Sequence, residues 1–325
     1  MKRSTTIVLV AILVAVIAAC TGSGGGLGPV PSAAPTPSAD TGGPDLTPAP
    51  SGTATPSTDP SIEPSGSPSV TPTPAASPSK TMIVRAYFVL GGEPGSIGLV
   101  PVLRVVPESA AVATVAMNEL FAGPTNTEAG DRTITSAIPD GTKLLGITIK
   151  NGVATVDLST EFDSGGGTAS MQYRLAQVVY TLTQFSTVKS VVFQIEGETV
   201  TVFSSEGIIL DGPVGRADYY DQLPAIFVDR PAYRAAIGNP AKVSGNANVF
   251  EATFRIAVLD ASGKTLVDEM AMATCGTGCR GTFSVTLDYT VSKAQYGTLR
   301  AYNYSAKDGT SEHIRDYPVW LTPAG

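Results

Sequence analysis

The stretch KLLGITIKNGVATVDL, residues 143–158, decides the fold of the first half of this chain. Asn151-Gly152 at its centre is typical of a two-residue type I′ turn, because both central positions of that turn need positive φ. The turn predicts a β-hairpin with one entirely apolar face, formed by the cross-strand pairs Ile149/Ala154, Ile147/Val156 and Leu145/Leu158. A slip of one residue would move this apolar set into water, so the turn and the hydrophobic pattern indicate the same register.

Strands and two amphipathic helices flank this hairpin. Val112, Val115, Ala116 and Leu120 have helical spacing, and Gly123-Pro124 ends that helix. The predicted elements are strands 82–90 and 99–106, the first helix, the hairpin, a helix over 171–185, and a second hairpin of 191–196 with 199–203 around Gly197-Glu198. This ββ-α-ββ-α-ββ order predicts a two-layer α+β domain over residues 81–215, because such helices need a sheet to cover.

The region 222–323 shows no helical pattern and contains apolar segments separated by turns such as Asp260-Ala261-Ser262-Gly263. Seven strands are predicted, at 226–228, 241–243, 249–259, 265–273, 282–289, 297–305 and 314–321. Seven short strands in about 100 residues are typical of an immunoglobulin-like β-sandwich. The sequence therefore predicts an all-β second domain.

Several motifs of the first domain resemble the GerMN domain of sporulation and spore-germination proteins. They are VAMNELFAGPT (115–125), IPDGTKLLGITIKNGVATVDLSTEF (138–162), GGGTASMQYRLAQVVYTLTQF (165–185) and SVVFQIEG (190–197). In the second domain, NPAKVSGNANVFEATF (239–254), VLDASGKTL (258–266), GTFSVTLDY (281–289) and SAKDG (305–309) resemble the immunoglobulin-like bacterial spore germination domain. The resemblance implies two non-catalytic, protein-binding modules outside the membrane. Since some GerMN relatives build rings, it also implies self-association through the first domain as a further hypothesis.

The N-terminus resembles the signal peptide of a bacterial lipoprotein. Lys2 and Arg3 precede the apolar run 7–19, which is short for a membrane-spanning helix of about 20 residues. Ile17-Ala18-Ala19-Cys20 resembles a lipobox, which implies that residues 1–19 are removed and that Cys20 carries lipid and becomes the new N-terminus. An uncleaved signal anchor and an ordinary cleaved signal peptide are the alternatives. We therefore expect the protein on the extracytoplasmic face of the cell membrane, anchored by the lipid on Cys20.

Residues 20–80 are rich in Pro, Ser, Thr and Gly and have almost no large apolar side chain. Such a segment cannot bury enough surface to offset its ordering entropy, so a disordered linker is predicted. The formal net charge of −7 and the absence of any Lys/Arg cluster argue against nucleic acid as a partner.

Cys275 and Cys279 enclose a short glycine-rich loop and are the one constellation with covalent potential. In an exported protein a disulfide is favoured over free thiols. A metal site is the third alternative, but two thiolates and a single histidine elsewhere do not supply four zinc ligands without carboxylates. No cofactor or metal is predicted.

Three further groups of residues have types that catalytic or binding sites use. His313 is the chain's single histidine, and the chain has no G-x-S-x-G motif, so an ordinary strand histidine is favoured over a general base. Gly165-Gly166-Gly167 lacks the Lys-Ser/Thr of a phosphate loop and is interpreted as a helix entry capped by Thr168 or Ser170. Asp157, Glu161 and Asp163 are interpreted as solvated charges rather than a carboxylate pair or a calcium site.

Trp320, Tyr302 and Tyr304 are candidates for an aromatic ligand platform, but in a sandwich they more often fill the core or its margin. The sequence therefore indicates a lipid-anchored, non-catalytic interaction or scaffold protein of the bacterial cell envelope, related to the spore-germination and sporulation type. Its expected partners are envelope or signalling proteins. The alternative function is a module that binds cell-wall glycan or a small molecule. An enzyme is not expected.

Overall fold

The structure is a computed structural model that describes residues 80–324, apart from the side chains of Asp131 and Arg132. The predicted signal peptide, Cys20 and the linker lie outside the described residues. Within 80–324, no helix is long and apolar enough to cross a membrane. The predicted fold class is confirmed: a mixed α+β part is followed by an all-β part.

The α+β part contains nine strands and three α-helices among the described residues. The strands are β1 (Thr81–Leu90), β2 (Gly98–Pro107), β3 (Ile134–Thr135), β4 (Leu144–Lys150), β5 (Val153–Leu158), β6 (Ser190–Ile195), β7 (Glu198–Thr199), β8 (Val202–Phe203) and β9 (Ile208–Ile209). The helices are α1 (Val112–Phe121), α2 (Asn126–Arg132) and α3 (Thr168–Leu182). A connector with a 3-10 turn at Arg216–Gln222 leads to the second domain.

Two sheets and a short hairpin make up this first domain. One sheet has the order β2-β1-β3 and the other β4-β5-β6-β7, with β5 and β6 parallel. Helix α3 lies between the sheets and buries Met171, Leu175 and Leu182 among its apolar residues. Helix α3 thus packs on two sheets, where the sequence predicted a single sheet for the helices to cover.

Side chains of α3, and that of Gln184 just after it, bond the part of β1 that β3 does not cover. Gln184 Nε2 donates to the carbonyl of Arg85 at 2.6 Å, and its Oε1 accepts from the Arg85 amide at 2.8 Å. The Tyr87 amide donates to Thr181 Oγ1 at 3.2 Å, and Gln177 Nε2 donates to the Tyr87 carbonyl at 2.9 Å. Because buried backbone groups left unpaired are costly, these polar residues at helical spacing replace a missing neighbouring strand and join the helix to the sheet.

The central hairpin has the predicted turn and most of the predicted register. Ile149 lies opposite Ala154 and Ile147 opposite Val156, with positive φ at both Asn151 and Gly152. The pairing of Leu145 with Leu158 is wrong. An irregularity between residues 144 and 146 places Leu144 opposite Leu158 and leaves Leu145 47% exposed. The bulge inserts one residue, so the alternation of faces that the prediction assumed is broken there.

The second predicted hairpin is shorter than expected. Ile195 pairs with Glu198, so the turn residues are Glu196 and Gly197, both with positive φ, and not Gly197-Glu198. Beyond Thr199 the chain leaves β6, and Val202–Phe203 pairs with β9 instead. Helix α2, β3 and β9 were not predicted.

The second domain is a sandwich of eight strands among the described residues. They are β10 (Ile226–Arg230), β11 (Ala236–Ile237), β12 (Ala241–Ala247), β13 (Thr253–Leu259), β14 (Thr265–Met272), β15 (Gly281–Leu287), β16 (Gln295–Tyr304) and β17 (Ser311–Leu321). One sheet has the order β10-β12-β15 and the other β11-β17-β16-β13-β14. All seven predicted strands are present, and the short β11, parallel to β17, was missed. The inner faces are apolar, as Phe254, Ile256 and Val258 on β13 illustrate.

Candidate functional site

The two domains are joined by a buried arginine of β17. Arg315, 3% exposed, donates through Nη2 to the carbonyls of Leu99 at 2.7 Å and Gly98 at 3.2 Å, and through Nη1 to that of Ser96. All three acceptors belong to the turn and first residues of β2 in the first domain. Burial lowers the pKa of the Arg315 guanidinium, with Tyr317 acting in the opposite direction. The β1–β2 turn is therefore held against the sandwich by a charged donor with several acceptors.

A second polar contact centres on Asp229 of β10. Its carboxylate accepts a hydrogen bond from the Tyr87 hydroxyl at 2.5 Å and one from Arg216 Nη1 at 3.3 Å, and it lies 3.7 Å from Arg85 Nη1. Burial pushes the pKa of Asp229 upward, but Arg216 and Arg85 outweigh it and hold the pKa below its usual range. The Arg216 guanidinium also lies over the ring of Tyr180, 4.6 Å from its centre. First domain, connector and sandwich thus meet at one carboxylate.

His313 lies at the same junction. Its Nδ1 is 2.7 Å from Asn303 Oδ1, and its ring packs against Gly95 of the first domain, where an added Cβ would come within 2.2 Å of the ring. Gly95 also has a φ of +82°, so only glycine suits this turn. Within residues 80–324, neither a hydroxyl nor a carboxylate is hydrogen-bonded to the imidazole. This geometry gives His313 a role in domain contact.

The glycine run before α3 is held by an arginine. Arg174, 2% exposed, donates from its side chain to the carbonyls of Ala137, Ser164 and Gly165, among others, at 3.0–3.1 Å for these three. The N-cap of α3 is Gly167, which has no side chain to cap the helix, so the predicted capping by Thr168 or Ser170 is wrong. Thr168 instead donates to Glu206 Oε2 at 2.5 Å.

The three carboxylates predicted to be solvated each have contacts of their own. Asp157 Oδ1 accepts from the Gly197 amide at 2.9 Å and so fixes the β6–β7 turn. A hydrogen bond from Ser159 lowers the pKa of Glu161, and Asp163 lies near Arg174. Within the described part of the chain, no group of three or more His, Cys, Asp or Glu could hold a metal ion.

Cys275 and Cys279 are joined through their sulfurs in the structure, with Cα atoms 5.8 Å apart. Their loop links β14 to β15 and packs on the segment before β13, where the Thr277 amide donates to the Val249 carbonyl at 3.0 Å. The Gly278 amide donates to Asn248 Oδ1 at 3.2 Å. The oxidation state of this pair in the cell stays a prediction, as does the lipidation of Cys20.

The candidate aromatic platform is divided. Tyr302 stacks edge-to-face with Tyr304, and Trp320 does so with Tyr296, at ring-centre distances of 5.5 and 4.7 Å. Trp320 lies opposite Tyr296, six residues before Tyr302 on β16, so the two pairs are about 20 Å apart along the strand. Trp320 and Tyr302 therefore cannot contact one sugar ring together.

An exposed apolar patch, which the sequence did not reveal, lies beside the junction. Ile83 and Val105 are cross-strand neighbours on β1 and β2, and each is 64% exposed. Next to them opens a groove of about 430 Å³, lined by Ile83, Leu103 and Phe185 of the first domain and by Pro231, Ala232, Ala235 and Ala236 of the second, among others. We call the Ile83–Val105 pair and this groove the junction surface. Exposed apolar area of this kind is typical of protein-binding surfaces.

A second exposed pair, Val202 and Ile209, has a different setting. These residues lie opposite each other on β8 and β9 and are 58% and 67% exposed. The adjoining cavity of about 350 Å³ is lined by the polar side chains of Gln172, Asp211 and Asp218, among others. The junction groove is also lined by Arg85, Gln184 and Arg230, but Arg85 and Gln184 are already hydrogen-bonded within the protein. An apolar partner would therefore desolvate fewer unsatisfied polar groups there, and the junction surface is the better candidate for binding a protein.

Family models match both domains. Residues 85–201 match the Germane family, described as sporulation and spore germination, and residues 225–310 match Gmad2, an immunoglobulin-like domain of bacterial spore germination. Neither description names a catalytic activity. No curated protein is significantly similar to the chain.

Solved structures with weaker similarity include GerMN proteins. The tandem GerMN domains of the sporulation protein GerM from Bacillus subtilis share 16% identity over 76% of this chain, with a TM-score of 0.37, and the match spans 62% of their own length. The first GerMN domain of the same protein shares 23% identity over 42% of this chain and 99% of its own length, with a TM-score of 0.36. A putative lipoprotein from Clostridium perfringens shares 19% identity over 42% of this chain and 89% of its own length, with a TM-score of 0.31. With TM-scores this low, the domain assignment depends on the two family models.

Proposed function

We propose that this chain, in which a GerMN domain of sporulation and spore germination precedes an immunoglobulin-like domain of bacterial spore germination, is a lipid-anchored interaction protein of the cell envelope. It does no chemistry of its own. Lipid on Cys20 holds it on the extracytoplasmic face of the membrane, and the linker of residues 20–80 sets the reach of the folded domains. Tethering raises the effective concentration of a partner at the membrane surface.

The observation that carries this proposal is the junction surface. Both domains contribute to it, and the Arg315 and Asp229 contacts hold them in one arrangement, so the groove exists only while the domains stay together. A surface that is formed before binding loses little conformational entropy when a partner docks. The partner that fits is an envelope protein that presents apolar side chains to Ile83 and Val105.

A crosslinking pull-down from the native envelope tests the protein-binding role. Val105→Asp places a charge in the junction surface and is expected to reduce partner capture by roughly tenfold or more, because the carboxylate would be desolvated in the complex. Val202→Asp is the matched control, since Val202 is similarly exposed on another hairpin. Equal capture by wild type and Val105→Asp would contradict the proposal. Native mass spectrometry of the wild type and of Val105→Asp shows whether the captured partner is a second copy of this chain.

Metabolic labelling with an alkyne fatty acid tests the anchor separately. The wild-type chain is expected to carry the label in the membrane fraction, and Cys20→Ser is expected to carry none. An unlabelled wild-type chain would refute lipid anchoring without bearing on the junction surface.

A further inference from the structure

A pocket of about 160 Å³ opens on the outer face of the five-stranded sheet of the sandwich. Its centre is Ala257 of β13, which lies opposite Asp268 on β14 and opposite Arg300 on β16. Arg300 in turn lies opposite Asp316 on β17. These four residues form one row across four neighbouring strands. A methyl side chain between two long polar ones leaves a depression in the middle of the row.

The floor of the pocket is apolar. Ala257, Leu259 and Tyr302 form a small cluster of buried residues, separate from the main core, with exposures of 3%, 8% and 8%. Asp268 and Arg300 stand on either side of Ala257, and their Cα atoms are two strand spacings apart, about 10 Å. The two side chains occupy part of this separation, so the pocket of about 160 Å³ has room for a single small ring.

The polar rim is held in place before any ligand arrives. Asp268 accepts from Arg255 Nε at 2.9 Å and from the Tyr302 hydroxyl at 2.7 Å. Arg300 donates through Nε and Nη2 to the two oxygens of Asp316 at 2.7 and 2.8 Å. Within residues 80–324 no hydrogen bond engages Arg300 Nη1, so this donor is left for a ligand. Groups fixed in this way lose little freedom on binding.

We propose that this pocket binds one pyranose ring of a neutral glycan. A sugar ring has an apolar C–H face, which fits the Ala257–Leu259 floor, and hydroxyl groups that both donate and accept hydrogen bonds. The rim offers a carboxylate acceptor at Asp268 and a guanidinium donor at Arg300, and such charge-assisted bonds are the strong ones. Two arginines face two aspartates here, so the rim is balanced in charge and does not favour an anion.

The size and chemistry of the pocket favour a sugar over a protein partner. An apolar peptide side chain would fill the floor but would desolvate the ion pairs of the rim and leave Arg300 Nη1 without an acceptor, which is costly. The pocket lies on the outer face of the five-stranded sheet and shares no lining residue with the junction surface. The two binding roles can therefore succeed or fail independently.

Calorimetric titration of the full-length chain in detergent tests the proposal. The probes are tetrasaccharides of N-acetylglucosamine, glucose and mannose. At least one is expected to bind, and Ala257→Leu, which fills the depression, is expected to weaken that binding roughly tenfold or more. Arg300→Lys keeps the charge but loses the paired donors, and it is expected to weaken binding similarly. Trp320→Ala, four residues and about 14 Å along β17 from Asp316 in the pocket row, is the control and is expected to leave affinity within about twofold.

Urea unfolding of each variant shows that the sandwich is intact, and Arg300→Lys decides the question if Ala257→Leu fails to fold. The proposal is overturned if none of the three tetrasaccharides binds the wild type at about 10 mM. It is equally overturned if folded Ala257→Leu and Arg300→Lys bind as tightly as wild type, or if only Trp320→Ala loses binding. Loss of a captured envelope protein from Ala257→Leu, with no sugar binding in the wild type, would assign the pocket to a protein.

Discussion

Replacing Arg315 measures how strongly the two domains are held together. Its guanidinium makes three hydrogen bonds to carbonyls of the first domain. Hydrogen bonds to a charged group contribute about 1.5–3 kcal/mol each, so the three together set an upper limit of about 5–9 kcal/mol on the loss in Arg315→Met. Removing a charge that is buried without a carboxylate partner returns several kcal/mol of desolvation cost. The loss of the hydrogen bonds exceeds the relief of the desolvation cost, so the free energy of unfolding is expected to fall by about 2–4 kcal/mol.

Arg315→Lys separates the two opposing effects. Lysine keeps a charge in the same buried position but cannot reach three carbonyls that a planar fork spans. It therefore bears the desolvation cost with fewer hydrogen bonds, and we expect it to be no more stable than Arg315→Met. This ordering runs against the usual expectation that a conservative change is the milder one.

Urea unfolding followed by the fluorescence of Trp320 is the assay, since Trp320 is the chain's single tryptophan and lies on β17 with Arg315. At a slope of about 3 kcal/mol per molar urea, the expected loss moves the midpoint by about 1 M. Hydrogen exchange of the β1–β2 turn should rise in the same variants, because that turn loses its contact with the sandwich. A midpoint for Arg315→Lys equal to that of wild type would refute this reasoning.

Two further measurements examine other contacts. Because the pKa of Asp229 is lowered in the folded chain, its stabilising effect is complete above the ordinary carboxyl pKa of about 4 and is lost as the pH falls through the folded value. Asp229→Asn should therefore be less stable than wild type at pH 7 by about 1–3 kcal/mol, with the gap closing only below about pH 4 in urea titrations; a gap independent of pH would contradict this. The double change of Cys275 and Cys279 to Ser should cost about 1–2 kcal/mol of unfolding free energy, because the loop is short, and reductant should have the same effect on wild type. No response to reductant would indicate free thiols.

Local signals in the sequence predicted most of the elements. Asn151-Gly152 located the central hairpin, and the alternation of apolar residues located the strands of the sandwich. The α2 helix was missed although its signal was present, since Thr125 and Glu128 form a capping box at its start. The bulge near Leu145 carried no comparable signal, because one inserted residue depends on how the neighbouring strand and helix pack.

The junction between the domains could not be predicted. Arg315 and its acceptor Leu99 are 216 residues apart in sequence, and Asp229 and Tyr87 are 142 apart. Periodicity indicates which face of an element is buried but not which element covers it. For the same reason, the sequence indicated only that Ile83 belongs to a strand, although Ile83 is one of the most exposed apolar side chains of the first domain.

Protein binding by the junction surface is tested most directly by crosslinking from inside that surface in living cells. A photo-crosslinking amino acid at position 105 is expected to capture an envelope protein, and Ile83→Asp in the same chain is expected to abolish the capture. The same amino acid at position 202 is expected to capture little. Capture from position 202 equal to that from position 105, or capture that Ile83→Asp does not reduce, would contradict the account.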